Sequence, residues 1–333
     1  MIMNKEKIEF GAYQVVNNCL CLKPHEQMCI VTDQETKHLS EAIAKNALKI
    51  SEKVKMFVME DFGTRSEDGT NPLKFPKEIE DYMLKSQVSV YAAQGKKGEL
   101  HSFRIPMTVV AEKNNLRHGH MPGLSDLLME MGMNADYAKI KENNAKIMKA
   151  VQGIKTAHVT TDLGTDLHVT FHPEWRWFNC DGNIKPGSWS NLPDGEVFTC
   201  AFNANGKIVV DGVLGDYMSE KYGTITKTPL TVTFKDSRVQ TIYCDNKEIE
   251  KEVIEYSRQD ENANRFAEFA FGTNLALDRL VGNLLQDEKF PSVHIAIGDG
   301  YQDKTGCTWT SQAHMDMVIT KTTVEIDGKK IME

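Results

Sequence analysis

The spacing of apolar and polar positions divides the chain into two stretches of different rhythm. In the first, short apolar runs alternate with a helical stripe. Gln27–Thr32 (QMCIVT) and Val54–Met59 (VKMFVM) predict buried strands. Between them Leu39, Ile43, Ala47 and Ile50 recur at steps of four, four and three, which is one face of a helix. Such a β-α-β unit requires parallel strands and a right-handed crossover. Val88–Ala93 and Met107–Ala111 predict two more strands, with a helix over Lys77–Lys85 between the second and third strands. Leu116–Gly123 (LRHGHMPG) reads as a polar loop. Ala135–Val151 is rich in Ala, Lys, Glu, Ile and Met and predicts a helix that connects two domains.

After Gly153 the rhythm becomes that of short strands. Thr160–Phe171, Trp175–Asn179, Val197–Phe202, Lys207–Val213 and Leu230–Phe234 are strand-like, broken by turns such as DGN, LPDGE and NANGK. A helix is expected from about Asn246 to Ser257, then strands at Val293–Ile297 and Met317–Ile319. The expected architecture is an α/β N-terminal domain of parallel β-α-β units with its connecting helix, residues 1–152. An α+β, mostly antiparallel domain, residues 153–333, follows and carries the chemistry.

Composition narrows the function. A length of 333 residues fits about two domains, and 41% hydrophobic residues supply their cores. A net charge of -8 argues against a nucleic-acid partner, which calls for a basic stripe. No apolar run reaches the ~18 residues of a membrane span. The start, MIMNKEKIEFGAYQ, lacks the apolar centre of a secretory signal. Seven cysteines without a CxxC pair fit reduced thiols, so a cytoplasmic chain with no membrane partner is expected. The first strand runs into Asp33, Gln34, Glu35 and Thr36 rather than glycines, which leaves a pyrophosphate no close backbone.

The candidate chemistry lies in the second half. Glu268 sits in FAEFAFG among aromatics and alanines, and a buried carboxylate there needs a partner, either a metal or a neighbour such as Arg265. His294 lies inside the apolar VHIAIG, as a hydrogen-bonded core residue or as a ligand. His314 and Asp316 form an H-x-D pair, whose side chains point the same way on an extended segment. Glu196 opens the strand VFTC after a turn, the usual place of a solvated edge residue, and Tyr301 sits in a turn-like DGY. His118 and His120 in the polar loop are further candidates, as ligands or as the lining of a cleft.

In this order, NLPDGEVFT, AEFAFGTN, VHIAIGDGY and AHMD resemble the signature blocks of the thermophilic aminopeptidases, the aminopeptidase T and aminopeptidase S group of metallopeptidases; GTDLHVTF resembles another block. The resemblance covers roughly Leu163 to Val318. It implies six ligands, Glu196, Glu268, His294, Tyr301, His314 and Asp316, for two divalent metal ions (zinc, cobalt or manganese). It also implies a broad-specificity aminopeptidase that is a homodimer, with Tyr301 as a ligand or as a donor to the oxyanion. The chain departs from the family in a shorter first half, a short loop from Tyr301 to His314, and AHMD where IHWD is typical. These changes fall where a substrate pocket is shaped, so the substrate is expected to be a peptide or another small molecule. Two other readings stand beside this one. His294, His314 and Asp316 alone make the two-histidine, one-carboxylate set of non-haem Fe(II) enzymes, as in the ring-cleaving dihydroxypyridine dioxygenases. A non-catalytic relative that kept the fold is the other.

Overall fold

The computed structural model describes residues 4–332. The chain forms three sheets of five, seven and five strands and divides into two compact units. One comprises the residues up to 138 together with 181–194; the other comprises 139–180 and 195 onwards.

The first unit is a parallel sheet in the order β2-β1-β3-β4-β8. Its strands are β1 (Met28–Thr32), β2 (Val54–Val58), β3 (Val88–Ala93), β4 (Arg117–Pro122) and β8 (Ser188–Asn191). Every residue of β1 and β3 is buried, as parallel strands covered on both faces require. The Leu39–Ile43–Ala47 stripe is the buried face of the helix Lys37–Leu48.

Two expectations for this unit are corrected. Met107–Ala111 is not a strand but part of the helix Ile105–Lys113, which buries Met107, Thr108 and Ala111 at helical spacing. The β-branched Thr-Val-Val run favoured a strand locally, and packing overrode it. His118 and His120 are not in a loop but on β4, fully interior. Ser89 Oγ lies 2.8 Å from His118 Nδ1, His118 Nε2 lies 3.1 Å from His120 Nδ1, and Arg104 Nε donates to His120 Nε2 at 3.0 Å. Burial pushes both imidazoles down, His118 to about 3. A chain of hydrogen bonds of this kind is how buried polar rings are tolerated.

The turn after β1 is held by Asp33. Its carboxylate accepts from Thr36 N (2.8 Å) and Gln94 N (2.7 Å), and Arg65 Nη1 donates to it at 2.7 Å. A cavity of about 690 Å³ opens beside Asp33, Glu60, Arg65 and Lys96 and contains none of the six expected ligands.

The second unit stacks two antiparallel sheets. The seven-stranded sheet, in the order β12-β11-β10-β6-β5-β16-β17, uses β5 (Thr156–Thr160), β6 (Asp166–Thr170), β10 (Asn203–Val210), β11 (Leu230–Lys235), β12 (Arg238–Cys244), β16 (Thr323–Ile326) and β17 (Lys329–Met332). The five-stranded sheet, in the order β15-β14-β13-β9-β7, uses β7 (Phe178–Cys180), β9 (Glu196–Cys200), β13 (Phe266–Gly272), β14 (Val293–Gly298) and β15 (His314–Ile319). Alternate residues of both sheets meet in one core, with Val159, Leu167, Ile208 and Val232 on one side and Phe269, Phe271, Ile295 and Met317 on the other. Each such side chain contributes ~1.5–3 kcal/mol by leaving water.

The α/β and antiparallel architecture is thus the one expected, with local differences. Thr160–Phe171 is not one strand: it holds the end of β5, a turn with Gly164 at φ +103°, and β6, which pairs back along β5. The helix Tyr137–Ala150 belongs to the second unit from Lys139 onward, and the chain returns to the first unit to add β8. Among the described residues, no helix is long and apolar enough to cross a membrane.

Candidate metal centre

The five-stranded sheet has a second face, turned away from the core. Period-two alternation puts Glu268, Ala270 and Gly272 of β13 on it, with His294, Ala296 and Gly298 of β14, His314 and Asp316 of β15, and Glu196 of β9. The register sets each donor beside a small residue. Ala296 is paired with both Glu268 and Asp316, Ala270 with His294, Gly298 with His314, and Gly272 with Glu196. Long polar side chains therefore rise from a floor of Ala and Gly. The floor must stay small, because a Cβ on Gly272 would sit 1.9 Å from the Phe290 carbonyl oxygen and one on Gly298 2.1 Å from that of Ala313.

The donors converge. His294 Nε2 lies 3.3 Å from Glu268 Oε1 and 3.5 Å from Glu196 Oε2. His314 Nε2 lies 3.2 Å from Asp316 Oδ1 and 3.6 Å from Glu268 Oε2. Two triads result, Glu196–Glu268–His294 and Glu268–His314–Asp316, each with its donor atoms within 4.8 Å of one another. Glu268 is the member they share. Arg265, the neighbour considered for Glu268, instead lies over the Trp309 ring at 3.5 Å. Tyr301, at φ +55° after Asp299 and Gly300, sets its ring 4.6 Å from that of His314.

Electrostatics follow from burying so many charges. Burial alone would lower both imidazoles. The Glu268 hydrogen bond and the charges of Glu196, Glu268 and Asp316 outweigh it for His294 and hold it at about 9. Asp316 and Glu268 do the same for His314, at about 10. Burial pushes the Glu268 carboxyl up. For Glu196 and Asp316 the nearby cations overcome burial and hold the carboxyls below the usual range. Burial and the surrounding carboxylates push the Tyr301 phenol well up, so it stays neutral.

Sequence reasoning missed three participants. Lys289 is 2% exposed, and its ammonium lies 2.8 Å from Glu196 Oε1 and 2.7 Å from Glu288 Oε1. Glu288 forms a third donor group with His294 and Asp316, and burial together with the charges of Glu196 and Asp316 raises its carboxyl to about 8. Asn144, fully buried, places its amide nitrogen 3.0 Å from the Glu196 carbonyl oxygen and 2.7 Å from Asn179 Oδ1. The only sequence signal for the first two was the run of charges in DEKF shortly ahead of an apolar strand.

The arrangement can hold divalent cations. It offers carboxylates and imidazoles, the donors of borderline metals. His294 Nδ1 is buried without a hydrogen-bond partner among the described residues. His314 Nδ1–H donates to the Asp299 carbonyl oxygen at 2.9 Å, which aims Nε2 at the carboxylates in the way that outer partners orient ligating histidines. Tyr256 braces the same residue, donating to the His314 carbonyl oxygen at 2.9 Å and accepting from its N–H at 3.0 Å.

A family model described as thermophilic metalloprotease (M29) matches residues 128–331. No curated protein matches in sequence. Among solved structures, wild-type AmpT from Thermus thermophilus is similar with a TM-score of 0.73 at 16% identity, over 98% of this chain and 97% of that one. A 2,5-dihydroxypyridine dioxygenase from Pseudomonas putida KT2440 is similar with a TM-score of 0.71 at 12% identity, over 99% and 96%. At such identities both show a shared fold and leave the reaction open. The AmpT match spans nearly all of both chains, so it includes the first half that was expected to be shortened.

Proposed function

The chain belongs to the thermophilic metalloprotease (M29) family, and from that premise we propose that it is an aminopeptidase that removes the N-terminal residue of peptides with two divalent metal ions. The observation that carries this reading is the pair of triads sharing Glu268. Glu196, Glu268 and His294 would hold one ion, and Glu268, His314 and Asp316 the other, with Tyr301 as a further ligand or as a donor to the oxyanion. When bound, such a pair of zinc, cobalt or manganese ions supplies an acidified water and polarises the scissile carbonyl.

The chain's own residues do the rest. Asp299 fixes the ring of His314, and Asn144 fixes the backbone of Glu196. Lys289 holds one oxygen of Glu196 and leaves the other facing His294. The neutral Tyr301 hydroxyl is a donor suited to charge developing on a carbonyl oxygen. Glu288, whose carboxyl is pushed up to about 8 by burial and by the charges of Glu196 and Asp316, is the candidate to pass a proton to the departing amine. The homodimer and the cytoplasmic location belong to the same proposal, and sedimentation equilibrium tests the first.

The iron-dioxygenase reading draws on the second fold likeness. Against it, the two histidines never occur together in a donor group within 4.8 Å among the described residues; each shares its group with a glutamate. The deciding assay offers the protein aminoacyl anilides and dipeptides with added cobalt, manganese or zinc, and separately a dihydroxylated pyridine with iron under oxygen. Release of free amino acids, abolished by Glu268→Ala, supports the peptidase. Oxygen uptake without amino-acid release overturns it.

A further inference from the structure

The solvent face of the seven-stranded sheet carries a cluster that the peptidase reading does not use. His158 on β5 and His168 on β6 are directly paired across the strands, and Asp166 lies two residues before His168 on the same face. The two imidazoles stack with centroids 4.1 Å apart and planes 6° from parallel. Both turn the same nitrogen toward one carboxylate oxygen: Asp166 Oδ1 lies 2.8 Å from His158 Nε2 and 3.6 Å from His168 Nε2. The three donor atoms lie within 4.8 Å of one another.

The His158–Asp166 hydrogen bond and the cross-strand ring stack together bring both Nε2 edges to one carboxylate oxygen, which gathers three donors of the types that bind transition metals. β5 and β6 are interior strands, flanked by β16 and β10, so the backbone holds the three side chains in fixed register. The next residue along the row is Glu325 of β16, exposed and paired with His158. On the other side Lys207 of β10 is paired with Asp166. Lys207 and Lys330, the latter paired with Glu325, balance Asp166 and Glu325, so the donor types rather than net charge favour a metal here.

From this geometry we infer a further metal site, in which the His158 and His168 rings turn out of their stack about their side-chain torsions so that both Nε2 lone pairs, which lie in the ring planes, meet with the Asp166 carboxylate at one divalent transition-metal ion of the zinc or copper class, with Glu325 or water completing the shell. Two imidazoles and one carboxylate select such ions over calcium and magnesium, which require more oxygen donors. The site is separate from the centre on the five-stranded sheet. None of its residues takes part in the proposed hydrolysis.

The test uses the full chain with its catalytic centre loaded. Wild type, His158→Ala/His168→Ala and Asp166→Asn are dialysed against buffered zinc, and bound zinc per chain is counted. Wild type is expected to retain one zinc more than the double variant, whose thermal midpoint and peptide turnover match wild type. Substoichiometric copper(II) added to wild type is expected to broaden the imidazole signals of two histidines, the two missing from the double variant. Equal zinc in wild type and double variant, or broadening that spares these two rings, overturns the assignment.

Discussion

Replacing Lys289 with methionine isolates the electrostatics of the candidate centre. Lys289→Met keeps the length and apolar stem of the side chain and removes only the buried ammonium, which lies 2.8 Å from Glu196 and 2.7 Å from Glu288. Without metal, Glu196 then keeps His294 as a cationic neighbour but loses the closer one. Removing one partner of a buried ion pair costs ~3–5 kcal/mol, because the other charge stays buried. The second unit has about 180 residues. At ~2.1 cal/mol/K per residue its unfolding entropy is ~0.4 kcal/mol/K, so the metal-free midpoint should fall by ~8–13 °C. Scanning calorimetry of protein dialysed against chelator measures this, and a second scan with cobalt or manganese should recover part of the loss. Glu196→Gln added to Lys289→Met should also recover part, since it removes the stranded charge. A metal-free midpoint within about 2 °C of wild type, well under the shift expected, would refute the claim that Lys289 compensates Glu196.

Three further outcomes are expected. His294 at about 9 and His314 at about 10 lie above the ~6.5 of an unfolded histidine, so their contribution to stability is complete below ~6.5 and lost as pH rises through 9 to 10. Metal-free thermal midpoints should therefore fall across that window, and metal uptake at pH 7.5 should release protons in calorimetry run in buffers of different ionisation heat; a flat pH profile would contradict the assignment. Gly272→Ala should reach or exceed the ~1–3 kcal/mol usual for overpacking, since its Cβ would meet a backbone oxygen at 1.9 Å, and an unchanged midpoint would disprove the close approach of the 288–290 loop. Tyr301→Phe keeps the ring against His314 and should leave the midpoint near wild type while lowering kcat ~10²-fold or more, the usual loss with an oxyanion donor; full turnover would remove the hydroxyl from the reaction.

The parts of this structure that were legible in sequence are those written in short-range periodicity. From Glu268 to Gly272 and from Val293 to Gly298 the even positions carry Glu268, Ala270 and Gly272, and His294, Ala296 and Gly298, while Phe269, Phe271, Val293, Ile295 and Ile297 fill the odd ones. That alternation already separates a core face from a face holding donors on a small-residue floor. The H-x-D spacing at His314 and Asp316 works in the same way. Lys289, Glu288 and Asn144 were not legible, because their roles arise from a loop folded back across Gly272 and from a helix residue 52 positions from Glu196. His118 and His120 misled because glycine and proline around them resemble a loop, although hydrogen bonds to Ser89 and Arg104 allow both rings to be interior. The helix at Ile105–Lys113 was misread because propensity favoured a strand and only tertiary packing decides.

The central claim is that Glu268 belongs to two ion sites at once. Its most direct test is the metal content per chain of protein purified without chelator, counted by mass spectrometry in the His158→Ala/His168→Ala background so that the outer face does not contribute. Two ions of the zinc, cobalt or manganese type per chain, with both weakened by Glu268→Gln, is the predicted result. A single iron per chain that survives Glu268→Gln would contradict the account.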